Sequence, residues 1–284
     1  MIILKRFLLI FAIALLFSKI SNDKVYSNDF KTKFSDDISL VTIEHTGDLG
    51  SIYGDINSKT DLAQNLNLAQ EPSAPGRIIS VTRITPESFM VNIEKGNGER
   101  RILLMSEEKP CELPKDGNDY TGELFFGNGD KIGEHTYVIS NQAESQQKRF
   151  LVTNLKPGTR YYMLLCEANG SGEKINYLIP DTSKFTAYKS TLPLTPKLEE
   201  AFDIKKGSFK LKWNKVKGAL SYFLDVAKDR SFKDILQDYK EMDLGDINEY
   251  LIEGIEGQNK VYCRIRAVGE SGQSGDSNII EVSF

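Results

Sequence analysis

The residue types that perform catalysis are few in this chain of 284 residues. Its two histidines are His45, in a polar N-terminal segment, and His135, in a predicted loop. A Ser-His-Asp or Cys-His mechanism needs a base held beside a nucleophile by a third group, and the sequence contains no G-x-S-x-G elbow. Glu123, Glu134 and Glu167 could supply the two carboxylates of a glycosidase, which lie about 5–10 Å apart in a cleft. Each lies near a loop or a strand end, where solvated carboxylates are usual, so we predict a protein that is not an enzyme.

Metal sites and reactive thiols are also poorly supported by the sequence. Residues 127–130 and 243–248 carry oxygen ligands, but they lack the spacing of an EF-hand, and turn formation by Gly, Asn and Asp explains them. Cys111, Cys166 and Cys263 fit no zinc motif. An odd number of cysteines permits one disulfide at most within a monomer. Cys111 and Cys166 could form it, although unpaired thiols are favoured, and we predict neither a metal nor another cofactor.

Aromatic side chains form the candidate ligand-binding group. They lie, interleaved with glycines, in a long stretch between Met105 and Phe150, and they are Tyr120, Phe125, Phe126 and Tyr137. Exposed aromatic rings on a loop that a rigid scaffold holds in place would suit the face of a sugar or a peptide. The alternative is that these rings cap the enlarged domain that contains them.

The charge of the chain argues against nucleic acid as its main partner. The formal net charge is −4 for the whole chain, and residues 28–284 hold 32 basic and 39 acidic residues, a net charge of −7. One basic run predicts either a solvated face that discourages edge pairing or a contact with an acidic polymer. It comprises Lys205, Lys206, Lys210, Lys212, Lys215 and Lys217.

The N-terminus has the pattern of a signal peptide. Lys5 and Arg6 precede an apolar run over residues 7–17 that is too short for a membrane anchor. Cleavage is predicted between residues 18 and 27, and a buried N-terminal helix is the alternative. No later segment is apolar for long enough to span a membrane. The sequence therefore predicts a protein that is secreted, held at the cell surface or periplasmic, with no transmembrane anchor.

Short alternating strands, separated by Gly, Asn, Asp and Pro, fill the rest of the sequence. Residues 28–75 form a polar, irregular extension or linker, with a possible strand over 38–43 and a possible helix over 61–69. Residues 76–192 and residues 197–284 then show strands with period-two alternation and no long helix. Such a pattern is typical of an all-β fold of two sandwiches. The prolines at 193 and 196 mark a short linker, which we expect to limit motion between the two domains.

Several residues within these strands resemble fibronectin type III domains. The second domain has Trp213, residues 218–226 (GALSYFLDV) and residues 264–268 (RIRAV). The first domain is similar to a variant found in bacterial secreted multidomain proteins, with residues 96–98 (GNG) and residues 155–161 (LKPGTRY). The segment at 155–161 has a second copy at 255–261, IEGQNKV. The resemblance implies tandem immunoglobulin-like β-sandwiches over nearly all of the mature chain.

The resemblance also predicts core residues and two departures. Trp213 and Tyr222 are predicted to pack in the core of the second domain, and Tyr161 to tie a loop to a strand of the first. Ile93 stands where the family has a core Trp. Val261 stands where it has the corner Tyr, so we expect the second domain to be looser at that end.

The sequence thus predicts an exported, non-catalytic binding, adhesion or spacer protein. Its partner would be a protein or a surface glycan, recognised through the loops of a β-sandwich. A carbohydrate-binding accessory module is the alternative, and a hydrolase is a less favoured one.

Overall fold

A computed structural model describes residues 30–34, 41–45, 67–143 and 147–284 of the chain. The predicted signal peptide and residues 61–66 of the predicted helix lie outside the described residues. The chain divides into two compact units, Met1–Ile56 and Asn57–Phe284, and the second contains both sandwiches. The predicted domain boundaries stay predictions.

The N-terminal unit contains a pair of strands within the segment that the sequence predicts to be an extension or linker. Strand β1 (Phe30–Phe34) pairs antiparallel with β2 (Val41–His45), with Phe30 opposite His45 and Phe34 opposite Val41. Both strands carry the aromatic or β-branched residues that favour extended backbone. β2 overlaps the strand that the sequence predicts over 38–43, and β1 is an additional strand within the N-terminal extension.

The first sandwich consists of two antiparallel sheets. One sheet has the order β3-β4-β8 and the other the order β10-β9-β5-β7-β6, with β11 also paired to β9. The strands are β3 (Arg77–Thr82), β4 (Phe89–Glu94), β5 (Arg100–Glu107), β6 (Lys131–Ile132), β7 (Thr136–Ala143), β8 (Arg149–Val152), β9 (Arg160–Asn169), β10 (Asn176–Leu178) and β11 (Ala187–Ser190). A single helical turn, α1 (Thr182–Phe185), precedes β11. Phe89, Val91 and Phe150 from one sheet pack against Leu103 and Met163 from the other.

The second sandwich repeats this arrangement. One sheet has the order β12-β13-β16 and the other the order β15-β14-β17-β18, with β19 also paired to β17. The strands are β12 (Phe202–Lys205), β13 (Ser208–Lys212), β14 (Ala219–Ala227), β15 (Met242–Asp243), β16 (Glu249–Ile252), β17 (Lys260–Gly269), β18 (Gly272–Gln273) and β19 (Ile280–Ser283). Trp213 and Tyr222 are fully buried between the sheets, with their ring centroids 5.6 Å apart. The fold is a tandem of fibronectin type III-like β-sandwiches, and the predicted fold class is confirmed.

The two copies of the sequence repeat occupy the same place in the two sandwiches. Leu155 and Ile255 are buried before a turn, and Tyr161 and Val261 are buried in the strand that follows it. The hydroxyl of Tyr161 accepts a hydrogen bond from Lys156 N at 2.8 Å, as a corner tyrosine does. In the second sandwich Tyr239 makes the corresponding tie, because its hydroxyl contacts both Glu253 O, at 2.7 Å, and Glu253 N, at 3.1 Å. A tyrosine from another segment therefore holds the turn that we expected to be loose.

The first sandwich carries a third layer that the sequence analysis did not anticipate. Residues 111–120 and 179–185, here called the cover layer, pack on the outer face of the β5-β9 sheet through Cys111, Tyr120, Ile179 and Phe185. Ile102, Leu104, Leu164 and Cys166 face this layer, whereas their neighbours Leu103 and Leu165 face the central core. Each strand is thus buried on both faces, which accounts for its continuous apolar run. The extra residues between Met105 and Phe150 include much of this cover layer.

The two sandwiches meet at a close junction. A Cβ added to Gly158 would lie 1.9 Å from Lys217 O, so the backbones approach where glycine alone fits. Lys217 Nζ donates to Thr159 Oγ1 at 2.9 Å, and Arg160 pairs with Glu270 at 2.9 Å. The junction therefore adds direct contacts between the sandwiches to the short proline linker.

Candidate recognition surface

On the side of the first sandwich opposite the cover layer, the outer face of the β3-β4-β8 sheet is exposed to solvent. Alternation along β4 places Phe89, Val91 and Ile93 in the core and leaves Met90 and Asn92 on the outer face. Leu151, opposite Met90 on β8, also faces outward and is 45% exposed. The outer face is thus built by the strand pattern itself and does not depend on a loop.

A shallow groove of about 470 Å³ lies on this face. We call it the basic groove, and its lining residues are Ile79, Ser80, Thr82, Arg83, Met90, Asn92, Ile93, Lys148 and Arg149. The volume lies within the range of about 300–1,000 Å³ for ligand sites. A few side chains of a partner would fill it.

The centre of the basic groove is polar and internally ordered. Asn92 Nδ2 donates to Ser80 Oγ at 3.1 Å and to Thr82 Oγ1 at 3.2 Å. These bonds cross from β4 to β3, since Ser80 and Thr82 lie opposite Asn92 and Met90. They hold the two strands together and fix the floor of the groove.

The charged residues that line the basic groove are all basic. Arg83, Lys148 and Arg149 line it, and its lining contains no carboxylate. Within the described part of the chain these three cations have no ion-pair partner, in contrast to Arg77, whose Nε lies 2.5 Å from Glu94 Oε2 at the end of the same sheet. A patch of positive charge on an acidic chain attracts anionic groups selectively.

Apolar side chains lie among these charges. Ile79 is 57% exposed, where the pairing of β3 with β4 shifts register. Met90 is half-buried and lies opposite the exposed Leu151. A bulge in an edge strand re-aims a side chain and discourages pairing with another strand. The face therefore offers side-chain contacts in preference to strand addition.

The four aromatic residues predicted to bind a ligand do not form a shared exposed surface. Phe126 is a core residue, 7% exposed, with its ring centroid 5.1 Å from that of Tyr161. Tyr137 packs on Phe126 at 5.2 Å, and Tyr120 packs in the cover layer. Phe125 is 46% exposed and is the member of the four that faces solvent. Tyr120, Phe126 and Tyr137 thus pack within the domain, and ligand binding by the four residues stays a prediction.

The carboxylates and the histidine that could perform catalysis are engaged in structural contacts or lie apart. Glu167 is fully buried and accepts hydrogen bonds from Gly96 N at 2.9 Å and Gly98 N at 3.1 Å. Glu123 and Glu134 are exposed. His135 contacts the carbonyl oxygen of Pro110 at 3.0 Å, and the side chain of His45 lies outside the described residues.

Cys166 and Cys263 are buried, and Cys111 is half-buried. All three cysteines are free. Burial raises the pKa of the Cys111 thiol to about 12, and it also raises the pKa values of Cys166 and Cys263. Cys111 Sγ donates to the carbonyl oxygen of Tyr162. A thiol whose pKa is raised by burial is a poor nucleophile, so these cysteines serve as small core residues.

Sequence reasoning missed the basic groove because its parts are distant in the sequence. Ile79 to Asn92 form one side and Lys148 and Arg149 the other, and a strand pairing brings them together. Uncharged residues at the outward positions of β4, Met90 and Asn92, were the available signal. Among the described residues, no group of three or more His, Cys, Asp or Glu side chains is arranged to hold a metal ion. Nor does any helix in the described ranges combine the length and apolar character needed to cross a membrane.

Comparison with known proteins gives distant similarities. No family model matches the chain. The chain is similar to Contactin-5 of Danio rerio, with 22% identity over 224 residues, which cover 75% of this chain and 20% of that protein. The chain thus spans about a fifth of the length of this curated relative. Among solved structures, a two-fibronectin type III domain segment from chicken tenascin aligns with a TM-score of 0.39 and 15% identity, over 75% of this chain and 100% of that chain.

Proposed function

We propose that this chain is an exported, non-catalytic recognition protein whose first sandwich holds a partner protein in the basic groove. The observation that carries the proposal is a solvent-facing sheet surface that combines Arg83, Lys148 and Arg149 with exposed Ile79 and Leu151. Exposed apolar side chains that lie beside charges without ion partners are a feature of interaction sites. The second sandwich and the junction act as the spacer that presents this surface.

The positions of the buried carboxylates and of the thiols support a non-catalytic role. The buried carboxylate of Glu167 holds a turn, and that of Asp225 accepts from Arg264 Nε at 2.9 Å and from Glu241 N at 2.8 Å. Cys166 and Cys263 are buried and Cys111 is half-buried, and desolvation raises the pKa of each thiol. Sandwich domains of this kind are typical of binding, adhesion and spacer roles, and many act at cell surfaces. Export rests on the predicted signal peptide at residues 1–27, and a bacterial surface is the setting that the sequence resemblance implies.

A capture experiment tests the proposal. The chain from residue 28 is immobilised and exposed to surface and secreted material from its source, and bound proteins are identified by mass spectrometry. The test variant is Arg83→Glu with Arg149→Glu. Its matched control is Lys205→Glu with Lys206→Glu, which makes the same charge change at two exposed positions of the second sandwich.

The outcomes separate the candidate functions. A protein that is captured by the wild type and the control, but not by the basic groove variant, supports the proposal. Capture that is indifferent to the groove variant contradicts the role of this face. Turnover of polysaccharide or peptide libraries that survives purification would overturn the non-catalytic assignment.

A further inference from the structure

The rows of side chains across the β3-β4-β8 sheet alternate in chemistry along the strands. Ser80, Asn92 and Arg149 lie opposite one another in one row, and Thr82, Met90 and Leu151 lie opposite one another in the next. Arg83 comes directly after Thr82, beyond the end of β3, and also lines the groove. The order along the strand direction is therefore basic, apolar and basic.

An extended peptide has the matching period. Alternate residues of a strand point to the same side and are about 7 Å apart, which is also the spacing between successive rows on one face of a sheet. A peptide lying along β4 would place residue i over Arg149, residue i+2 over Met90 and Leu151, and residue i+4 near Arg83. Opposite charge at the two ends and an apolar residue at the centre would complement all three positions.

We propose that the basic groove binds an extended, acidic peptide segment with an apolar residue at its centre, in the pattern acidic-x-apolar-x-acidic. This inference rests on the proposed recognition function and names the chemistry of the partner. Three features favour a peptide over a sulfated glycan. The apolar row offers contacts that a sulfated sugar does not use, the lining contains no aromatic ring on which a sugar could stack, and Arg83 and Arg149 are separated by that row.

The test compares labelled peptides by fluorescence anisotropy on the chain from residue 28. The probe is Gly-Glu-Thr-Leu-Thr-Glu-Gly, and the permuted control Gly-Glu-Glu-Thr-Thr-Leu-Gly has the same composition without the spacing. We expect the spaced peptide to bind about tenfold more tightly than the permuted one, since each charge-assisted contact contributes about that factor. Arg149→Ala should weaken binding of the spaced peptide by about the same factor.

The apolar position has a matched control in the second sandwich. Leu251 lies opposite Lys210 of β13, as Leu151 lies opposite Met90 of β4. Leu251 is 42% exposed and Leu151 is 45% exposed. We expect Leu151→Ser to weaken binding of the spaced peptide severalfold, by about the contribution of one half-exposed leucine, and Leu251→Ser to leave it unchanged.

Three results would overturn the inference. They are equal binding of the spaced and permuted peptides, affinity that is unaffected by Leu151→Ser, and tighter binding of a heparin-derived hexasaccharide that needs Arg149 but not Leu151. If these peptides fail while a captured protein still depends on Arg83 and Arg149, the recognition function stands and the peptide assignment falls.

Discussion

Substitution of Glu167 tests how a buried carboxylate stabilises the first sandwich. Its carboxylate is fully buried, accepts hydrogen bonds from Gly96 N and Gly98 N, and lies 3.5 Å from Arg101 Nε. The glycines are required there, because a Cβ on Gly98 would lie 2.8 Å from Glu167 Oε2. The carboxylate thus fixes the turn that joins β4 to β5, at one end of the β3-β4-β8 sheet.

Glu167→Gln keeps the shape of the side chain and removes its charge. One of the two oxygens becomes an NH₂ group that faces a backbone donor, so one charge-assisted hydrogen bond, about 1.5–3 kcal/mol, is lost. Arg101, 4% exposed, also loses its buried counter-charge. We expect a loss of about 3 kcal/mol in the free energy of unfolding, or about 10 °C in the melting temperature of a domain of this size.

The position of the single tryptophan makes the assay specific to each sandwich. Trp213 lies in the core of the second sandwich, so its fluorescence reports that sandwich alone, whereas far-UV circular dichroism reports both. Glu167→Gln should lower the dichroism midpoint of the first sandwich and leave the Trp213 midpoint in place. Asp225→Asn, which removes the buried carboxylate between Arg264 and Arg266, should do the reverse. A shift below about 2 °C for Glu167→Gln, or an equal shift of both midpoints, would refute the reasoning.

Three further predictions concern the first sandwich and its junction with the second. Phe126→Ala should cost about 3–5 kcal/mol in urea unfolding, and Phe125→Ala less than about 0.5 kcal/mol, since one ring is buried and the other is exposed; equal costs would contradict this placement. Gly158→Ala should separate the sandwiches, seen as a larger radius of gyration in X-ray scattering and new protease cleavage near residues 193–196. Gly257→Ala should not, because it has the same left-handed backbone but open space around it. The hydrogen bond from Ser190 and the charge of Arg160 lower the pKa of Glu270. Its stabilisation of the junction is therefore present above the usual carboxylate pKa, about 4.3, and is lost as the pH falls through the lowered value. The scattering radius should increase below about pH 4, and Glu270→Gln should give that larger radius at neutral pH; a radius that is insensitive to both changes would contradict this account.

The central cores of the two sandwiches were predictable because their chemistry is local. Phe89, Val91 and Ile93 alternate at period two, and such a pattern fixes which face of a strand is buried. The repeated turn before Tyr161 and Val261 fixes how the strands connect. Burial of Trp213 follows from its size and from the alternation around it. None of these inferences requires residues that are distant in the sequence.

The candidate site and the cover layer were not predictable by the same means. The cover layer has little regular secondary structure, so it has no periodicity that marks its buried side. In the irregular segment before β6, the neighbours Phe125 and Phe126 differ in exposure for the same reason. The continuous apolar runs at 102–105 and 163–166 were a usable signal, because a strand that is apolar at every position is buried on both faces. The contact by which Tyr239 replaces the corner tyrosine was not predictable either, because it joins two turns that are separate in the sequence.

The cover layer also determines where a partner can bind. A β-sandwich has two outer faces, and in the first sandwich the cover layer occupies the one formed by β5 and β9. The β3-β4-β8 face keeps exposed apolar and basic side chains that no described residue covers. The second sandwich places Lys210 and Lys212 where the first has Met90 and Asn92, and Lys210 pairs with Asp203 and lies 3.8 Å from Glu249. The position of Met90 is thus taken by a neutralised lysine in the second sandwich. Recognition is assigned to the first sandwich because its face also forms the basic groove, whose cations have no ion-pair partner among the described residues.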